Sequence, residues 1–399
     1  MAHSGILPLG IASFLCCLAP IFSSTAVAQQ APKQKQAPPA FMSAPAVVSP
    51  EIQADNKVTF RLSAPKAGEV TLSGEWMEGF GASEKMSRDD AGVWSLAVGP
   101  LAPEFYGYSF NVDGVKTLDP GNADHKRDGR RVDCILLVPG KESALYEVKN
   151  VPHGTLAKVW YPSPTLDLTR RMYVYTPPGY ESGSDKYPVF YLLHGGGGDE
   201  DAWSTLGRTS QILDNLIAQG KARPMIVVMP NGNAYQAGTP GEIPEPEGRS
   251  NMSREERAKF SGMFEKSLVT DIVPFVEKNY RVRSGKDSRA IAGLSMGGGH
   301  TFRITADNPG MFGYIGVFSA GVRDVDETME DQLKNLRTGN RLYWVACGVD
   351  DRLAYAGSQT LAALLKKLDF KHTFRESTGG HTWANWRIYL SEIAPLLFK

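Results

Sequence analysis

Two patterns of apolar spacing divide the chain. From Val47 to about Pro139 the apolar positions fall in short runs: Lys57–Leu62, Glu69–Ser73, Val93–Val98, Phe105–Val112 and Val132–Val138. Each run alternates or is rich in β-branched and aromatic residues, with Gly, Pro and Asp-Gly punctuation between, which is the pattern of half-buried strands. Short strands at this density predict an immunoglobulin-like β-sandwich module over residues 47–144. From about Leu145 the runs become continuously apolar, as in Tyr187–Leu193, Pro224–Met229, Tyr314–Phe318 and Leu342–Cys347. Parallel strands covered on both faces read this way. Helical spacing appears between them, most clearly at Leu361, Leu364, Leu365 and Leu368. Residues 145–399 are therefore predicted to form a doubly wound α/β sheet, with ligands beyond the carboxyl ends of its strands.

The first residues follow neither pattern. Ile6 to Phe22 is mostly apolar and Ala26-Val27-Ala28 precedes Gln29, so residues 1–28 read as a secretory signal peptide, with a signal-anchor as the rival. Residues 29–46, rich in Gln, Pro, Ala and Lys, read as a disordered linker. The expected location is secreted or periplasmic, with no membrane partner after signal cleavage. Beyond the signal only Cys134 and Cys347 remain, each in a strand-like apolar run, which suggests buried free thiols. The 43 basic residues match the 43 acidic ones, so nucleic acid is not an expected partner.

The second region carries a run of chemistry. Arg289 to Gly299 reads as a buried strand, then Gly293-x-Ser295-x-Gly297, then a helix beginning with small residues. That is the nucleophile elbow of an α/β hydrolase, a turn tight enough to need glycine on both sides of the serine. A serine hydroxyl needs a base to take its proton, and the base needs an orienting carboxylate, which in this fold follow in the order Ser, acid, His. Three histidines lie downstream: His300, one turn into the elbow helix; His372, at the start of a strand-like run; and His381, behind Gly379-Gly380. The glycines let a loop swing over the serine, which makes His381 the expected base. The acid should follow the run ending at Cys347, where Asp350 and Asp351 are adjacent and the residues alone do not choose between them. A glycine-rich loop, His194 to Gly198, ends another apolar run. Its backbone N–H groups can approach a tetrahedral intermediate, and Gly196 together with the N–H of Met296 is the expected oxyanion pair. His194 itself reads as structural. No metal set stands out and no cofactor is expected. Asp199, Glu200 and Asp201 cluster where they could cap a helix, calcium being the weaker reading.

With these positions placed, the chain resembles the esterase D family of bacterial feruloyl esterases, acetyl xylan esterases, enterochelin-type siderophore esterases and S-formylglutathione hydrolases. It looks most like feruloyl esterases carrying an N-terminal module similar to carbohydrate-binding family 48. The resemblance runs from about Val48 to Lys399 through Tyr106-Gly-Tyr-Ser-Phe110, Tyr175-Thr-Pro-Pro-Gly-Tyr180, Leu192-Leu-His-Gly195, Met229-Pro-Asn-Gly232, Gly293-Leu-Ser-Met-Gly297 and Gly379-Gly-His-Thr-Trp383. It implies an α/β-hydrolase fold and a serine carboxylesterase working through an acyl-enzyme. It also selects Asp351, the Asp of Gly-x-x-Asp-x-Leu, over Asp350. Gln236 to Gly262 is longer and richer in Pro, Glu and Arg than such a family leads one to expect, and is expected near the pocket.

The implied substrate is an ester of plant polysaccharide or oligosaccharide, feruloylated or acetylated. The ring of a hydroxycinnamoyl group calls for an apolar pocket, for which Trp203, Met296 and Trp383 are the candidates, joined by Trp76 from the module. Trp76, Trp94 and Tyr106 read either as a sugar platform or as sandwich packing. A siderophore ester is the alternative substrate. The six acidic residues against four basic ones in Gln236 to Glu265 do not suit an anionic catecholate. A non-catalytic carbohydrate-binding protein is the reading from a different class, and the intact set of catalytic residues argues against it.

Overall fold

The computed structural model describes residues 47–399 apart from 79–80, 250–251, 323–324 and 338. The signal-peptide and linker readings lie outside the described residues.

The first region folds as two antiparallel sheets. Glu51–Ile52, Val58–Ser63, Val93–Val98 and Ser87–Arg88 form one. The other runs Glu84–Lys85, Val70–Gly74, Phe105–Val112, Arg131–Leu137 and His125–Asp128, with Val115–Thr117 added on Phe105–Val112. Alternation sets which side chains meet between them: Val58, Phe60 and Leu62 from one sheet face Val70, Leu72, Phe110 and Leu136 from the other in a single core. Cys134 is a free, buried thiol in that core, and Cys347 is likewise free and buried.

Eight strands form the second region's sheet: β1 (Thr155–Ser163), β2 (Leu168–Thr176), β3 (Val189–Leu193), β4 (Ile226–Pro230), β5 (Arg289–Leu294), β6 (Tyr314–Phe318), β7 (Leu342–Gly348) and β8 (Thr373–Ser377). Their spatial order is β1-β2-β4-β3-β5-β6-β7-β8. β2 runs antiparallel to both β1 and β4, and every pair from β4 to β8 is parallel. The continuous apolar runs have a simple cause in the two-residue period of a strand. Val189, Tyr191 and Leu193 enter the core on one face, while Phe190 and Leu192 enter the core on the other. β6 and β7 divide in the same way, with Val317 and Val345 on one side and Phe318 and Trp344 on the other.

Both regions belong to one compact unit. Phe105 of the sandwich lies in the same core as Tyr146, Trp386 and Leu390. Arg387, buried in the helix Trp383–Ile393, pins that junction. It donates to the Leu206 carbonyl at 2.8 Å, to Glu104 at 2.9 Å and to the Phe105 carbonyl at 3.2 Å.

Candidate active site

Ser295 sits between the end of β5 and the helix Met296–Asp307 with φ 52° and ψ −116°. A non-glycine residue held there stores roughly 1–3 kcal/mol of backbone strain. Its N–H donates to the Phe318 carbonyl of β6 at 2.9 Å, which anchors the turn to the sheet. The flanking glycines have no substitute. A Cβ on Gly293 would stand 2.3 Å from the Gly297 carbonyl oxygen, and one on Gly297 would stand 2.5 Å from that of His194.

The loops after β7 and β8 run against each other, with Val349 N–H donating to Ser377 O at 2.8 Å and Asp350 N–H to Gly379 O at 3.1 Å. His381 Nδ1 meets Asp351 Oδ2 at 2.8 Å. Asp351 is 1% exposed, and its other oxygen accepts the N–H groups of Leu353 at 3.1 Å and Ala354 at 3.0 Å. Asp350 is exposed and, among the described residues, accepts only from Gly379 N–H, at 3.3 Å. The His381 ring packs edge-on against Trp386, 5.0 Å between centroids, and His381 and Ser295 line the same cleft. His300 and His372 lie elsewhere. His300 Nδ1 bonds Glu265 at 2.8 Å in the core, and His372 Nδ1 bonds the Phe370 carbonyl at 2.7 Å.

Gly195, Gly196 and Gly198 line the same cleft as His381, and nothing stands within 4 Å of where a Cβ on Gly196 would be. His194 fixes this loop from beneath. Gly232 N–H donates to its Nε2 at 2.8 Å, so Nδ1 carries the proton and donates to the Gly195 carbonyl at 2.8 Å. Burial pushes the imidazole down to about 4, against the opposing pull of the Gly195 carbonyl, so the ring is neutral. The three acidic residues that follow have partners: Asp199 pairs with Arg127, Glu200 with Arg171 at 2.8 Å, and Asp201 accepts from Ser204 Oγ at 2.7 Å. Among the described residues no group of three potential metal ligands gathers.

The cleft has a volume of about 420 Å³ and opens between the two regions. The hydrolase side supplies Leu294, Trp383 and Trp386, and the sandwich supplies Phe105, Tyr106, Glu75, Glu104, Asp128 and Arg131. Burial would raise the Glu75 carboxyl, but the Lys126 ammonium 2.7 Å away outweighs it and holds the group below its usual range. Asp128 goes the other way, raised by burial despite Arg131 beside it. A second cleft, of about 610 Å³, meets the first at Ser295 and His381 and is lined by Ser319, Gly321, Val322, Arg352 and Thr360.

Four expectations about the pocket are corrected, those for Trp203, Trp76, residues 236–262 and Met296. Trp203 is 1% exposed, donates through Nε1 to the Leu193 carbonyl at 2.9 Å, and stands behind Trp383, edge-on at 5.3 Å, so it supports the wall without lining it. Trp76 stacks on Phe60 at 5.5 Å within the sandwich and abuts Tyr106 at 5.7 Å, while Trp94 is buried with Nε1 on the Ala64 carbonyl. The described part of 236–262 does not line the cleft at Ser295. Its Thr239 to Glu242 forms a separate groove with Arg127 and Arg130 of the sandwich. Met296 lies at the first turn of the elbow helix, and its side chain does not line the cleft either. The residues missed by sequence reasoning were Glu104, Phe105, Asp128, Arg131, Trp386 and Arg387. Trp386 alone had a signal, three positions after Trp383 on one helix face.

A family model described as putative esterase matches residues 163–397, more than half of the chain. The chain belongs to this esterase family. A second model, carbohydrate-binding module 48 (isoamylase N-terminal domain), matches residues 46–127. An endo-1,4-beta-xylanase/feruloyl esterase of Xylanibacter ruminicola is 33% identical over 90% of this chain. The chain spans 47% of that relative's length, and 23% of the length of endo-1,4-beta-xylanase Y of Acetivibrio thermocellus, to which it is 25% identical. A CE1 ferulic acid esterase from Anaeromyces mucronatus, solved in complex with ferulic acid, is 25% identical with a TM-score of 0.55, covering 65% of this chain and 96% of its own. The enterobactin esterase from Shigella flexneri, 18% identical with a TM-score of 0.62, shares the fold over 86% of this chain and 92% of its own.

Proposed function

We propose that the chain is a serine carboxylesterase that releases hydroxycinnamic acid, ferulic acid in particular, from esters of plant polysaccharide. The observation that carries the reading is the contact of His381 Nδ1 with the buried Asp351 carboxylate at 2.8 Å, on a ring that shares its cleft with the strained Ser295. Asp351 fixes the Nδ1–H tautomer and leaves Nε2 free as the base. Ser295 Oγ attacks the ester carbonyl carbon as Nε2 takes its proton. The N–H groups of Gly196 and Met296 stabilise the resulting oxyanion. The imidazolium then gives its proton to the leaving sugar oxygen, and a feruloyl ester stays on Ser295. Water, deprotonated by His381, repeats the attack, releases ferulic acid and restores the serine. No cofactor is required.

The walls of the cleft support this choice of substrate class. A cleft of about 420 Å³ with Phe105, Tyr106, Trp383 and Trp386 has far more room and aromatic surface than a two-carbon acetyl group can fill. Glu75, Glu104 and Asp128 suit neutral sugar hydroxyls better than an anionic tris-catecholate. The relatives named as feruloyl or ferulic acid esterases support the same choice. The test is kcat/KM on methyl ferulate, a 4-nitrophenyl acetate and a metal-free catecholate trilactone. The ferulate ester should be turned over faster than the trilactone, and a preference for the trilactone would replace this reading with siderophore processing. Export is inferred from residues 1–28. Protein recovered from periplasm or medium should begin at Gln29, whereas membrane-bound protein retaining Met1 would point to an anchor. Among the described residues no helix is long and apolar enough to cross a membrane.

A further inference from the structure

The sandwich touches the catalytic machinery at a point where no substrate need reach. The hairpin between His125–Asp128 and Arg131–Leu137 projects onto the glycine loop, and a Cβ on Gly129 at its tip would stand 2.6 Å from the Gly197 carbonyl oxygen. Beside it, Arg127 forms a fork on Asp199, Nη1 to Oδ2 at 2.7 Å and Nη2 to Oδ1 at 2.9 Å. The same guanidinium reaches the Gly129 carbonyl at 2.7 Å, Thr239 Oγ1 at 3.1 Å and Asp201 at 3.4 Å. Asp199 is 2% exposed, and Arg127 is the cation paired with it. It follows Gly195–Gly198 directly, and its Oδ1 also accepts the Asp201 N–H at 3.0 Å, which sets the turn that closes the loop.

We propose that Arg127 is a positioning residue for the oxyanion loop. The module, through this fork, holds the Gly196 N–H where the tetrahedral intermediate needs it. The proposal rests on the esterase reading above. On this account the module supports the chemical step on every ester, including one too small to touch the module's wall of the cleft. An oxyanion donor acts on the transition state more than on the bound ester, and a misplacement of about 1 Å costs on the order of 10²-fold in rate. Loss of the fork should therefore lower kcat and leave KM nearly unchanged.

The test uses the full chain with Arg127→Gln and Arg127→Lys, assayed on 4-nitrophenyl acetate and on methyl ferulate. Affinity for an aryl trifluoromethyl ketone, whose hemiketal oxyanion occupies the same hole, is the second readout. Arg127→Gln should lower kcat about 10- to 100-fold on both esters, with KM within about threefold and ketone affinity falling in step with kcat. Arg127→Lys keeps the charge without the planar fork and should fall between it and the parent, so it carries the test if the Gln variant does not fold. Unchanged kcat and ketone affinity in the folded variants would overturn the proposal, as would a loss confined to KM for the ferulate. Ser295→Ala separates the two levels: turnover surviving that change removes the esterase reading itself. Turnover lost there but intact in both Arg127 variants removes only the positioning role.

Discussion

His194 gives the sharpest quantitative prediction. Its ring is fully buried, donates from Nδ1 to Gly195 and accepts at Nε2 from Gly232, an arrangement only the neutral form can make. Burial takes the group from an ordinary 6.5 to about 4 in the folded chain. The folded state thus binds the proton less readily than the unfolded one. The stabilisation is fully present above about pH 6.5 and is lost as pH falls through about 4. The difference amounts to about 3 kcal/mol, of which about 2 kcal/mol is gone by pH 5. His194→Gln supplies an amide donor and acceptor that do not titrate. Urea unfolding followed by tryptophan fluorescence at pH 8, 6.5, 5 and 4 should show the parent losing about 3 kcal/mol more than the variant across that range. Parallel pH curves would refute the reasoning, because they would mean that the ring is not held neutral beneath the loop.

Other consequences can be checked by substitution. Asp351→Asn should lower kcat by about 10⁴, as in the analogous change in a serine protease, while Asp350→Asn should change it little; the reverse ranking would move the acid to Asp350. Trp383→Ala should raise KM for a feruloylated oligosaccharide several-fold. Trp203→Ala should instead cost about 3–5 kcal/mol of stability, and a KM effect of Trp203→Phe larger than that of Trp383→Ala would show that Trp203 touches substrate after all.

The elbow was legible because its constraint is local: a positive φ at Ser295 and close carbonyls at Gly293 and Gly297 demand particular residues at fixed positions. The α/β sheet was legible because burial of both faces writes continuous apolar runs. The choice between Asp350 and Asp351 was not, since it turns on which one the following helix buries, and only the family resemblance separated them. The walls of the cleft were the least legible part. Phe105, Asp128 and Arg131 line the cleft with Ser295 across a junction between two regions, and such a contact leaves no periodicity in either sequence. Trp203 misled for a related reason. It lies beside the glycine loop in sequence, but its short helix Ala202–Thr205 turns the indole into the core.

If Ser295 is the nucleophile, a fluorophosphonate should find it, because that reagent bonds to a serine activated by a base and an oxyanion site. Peptide mapping of the wild-type chain after the reaction should show one adduct, on the peptide carrying Ser295. An adduct on any other residue, or an unmodified Ser295 in fully inactivated protein, would contradict that assignment.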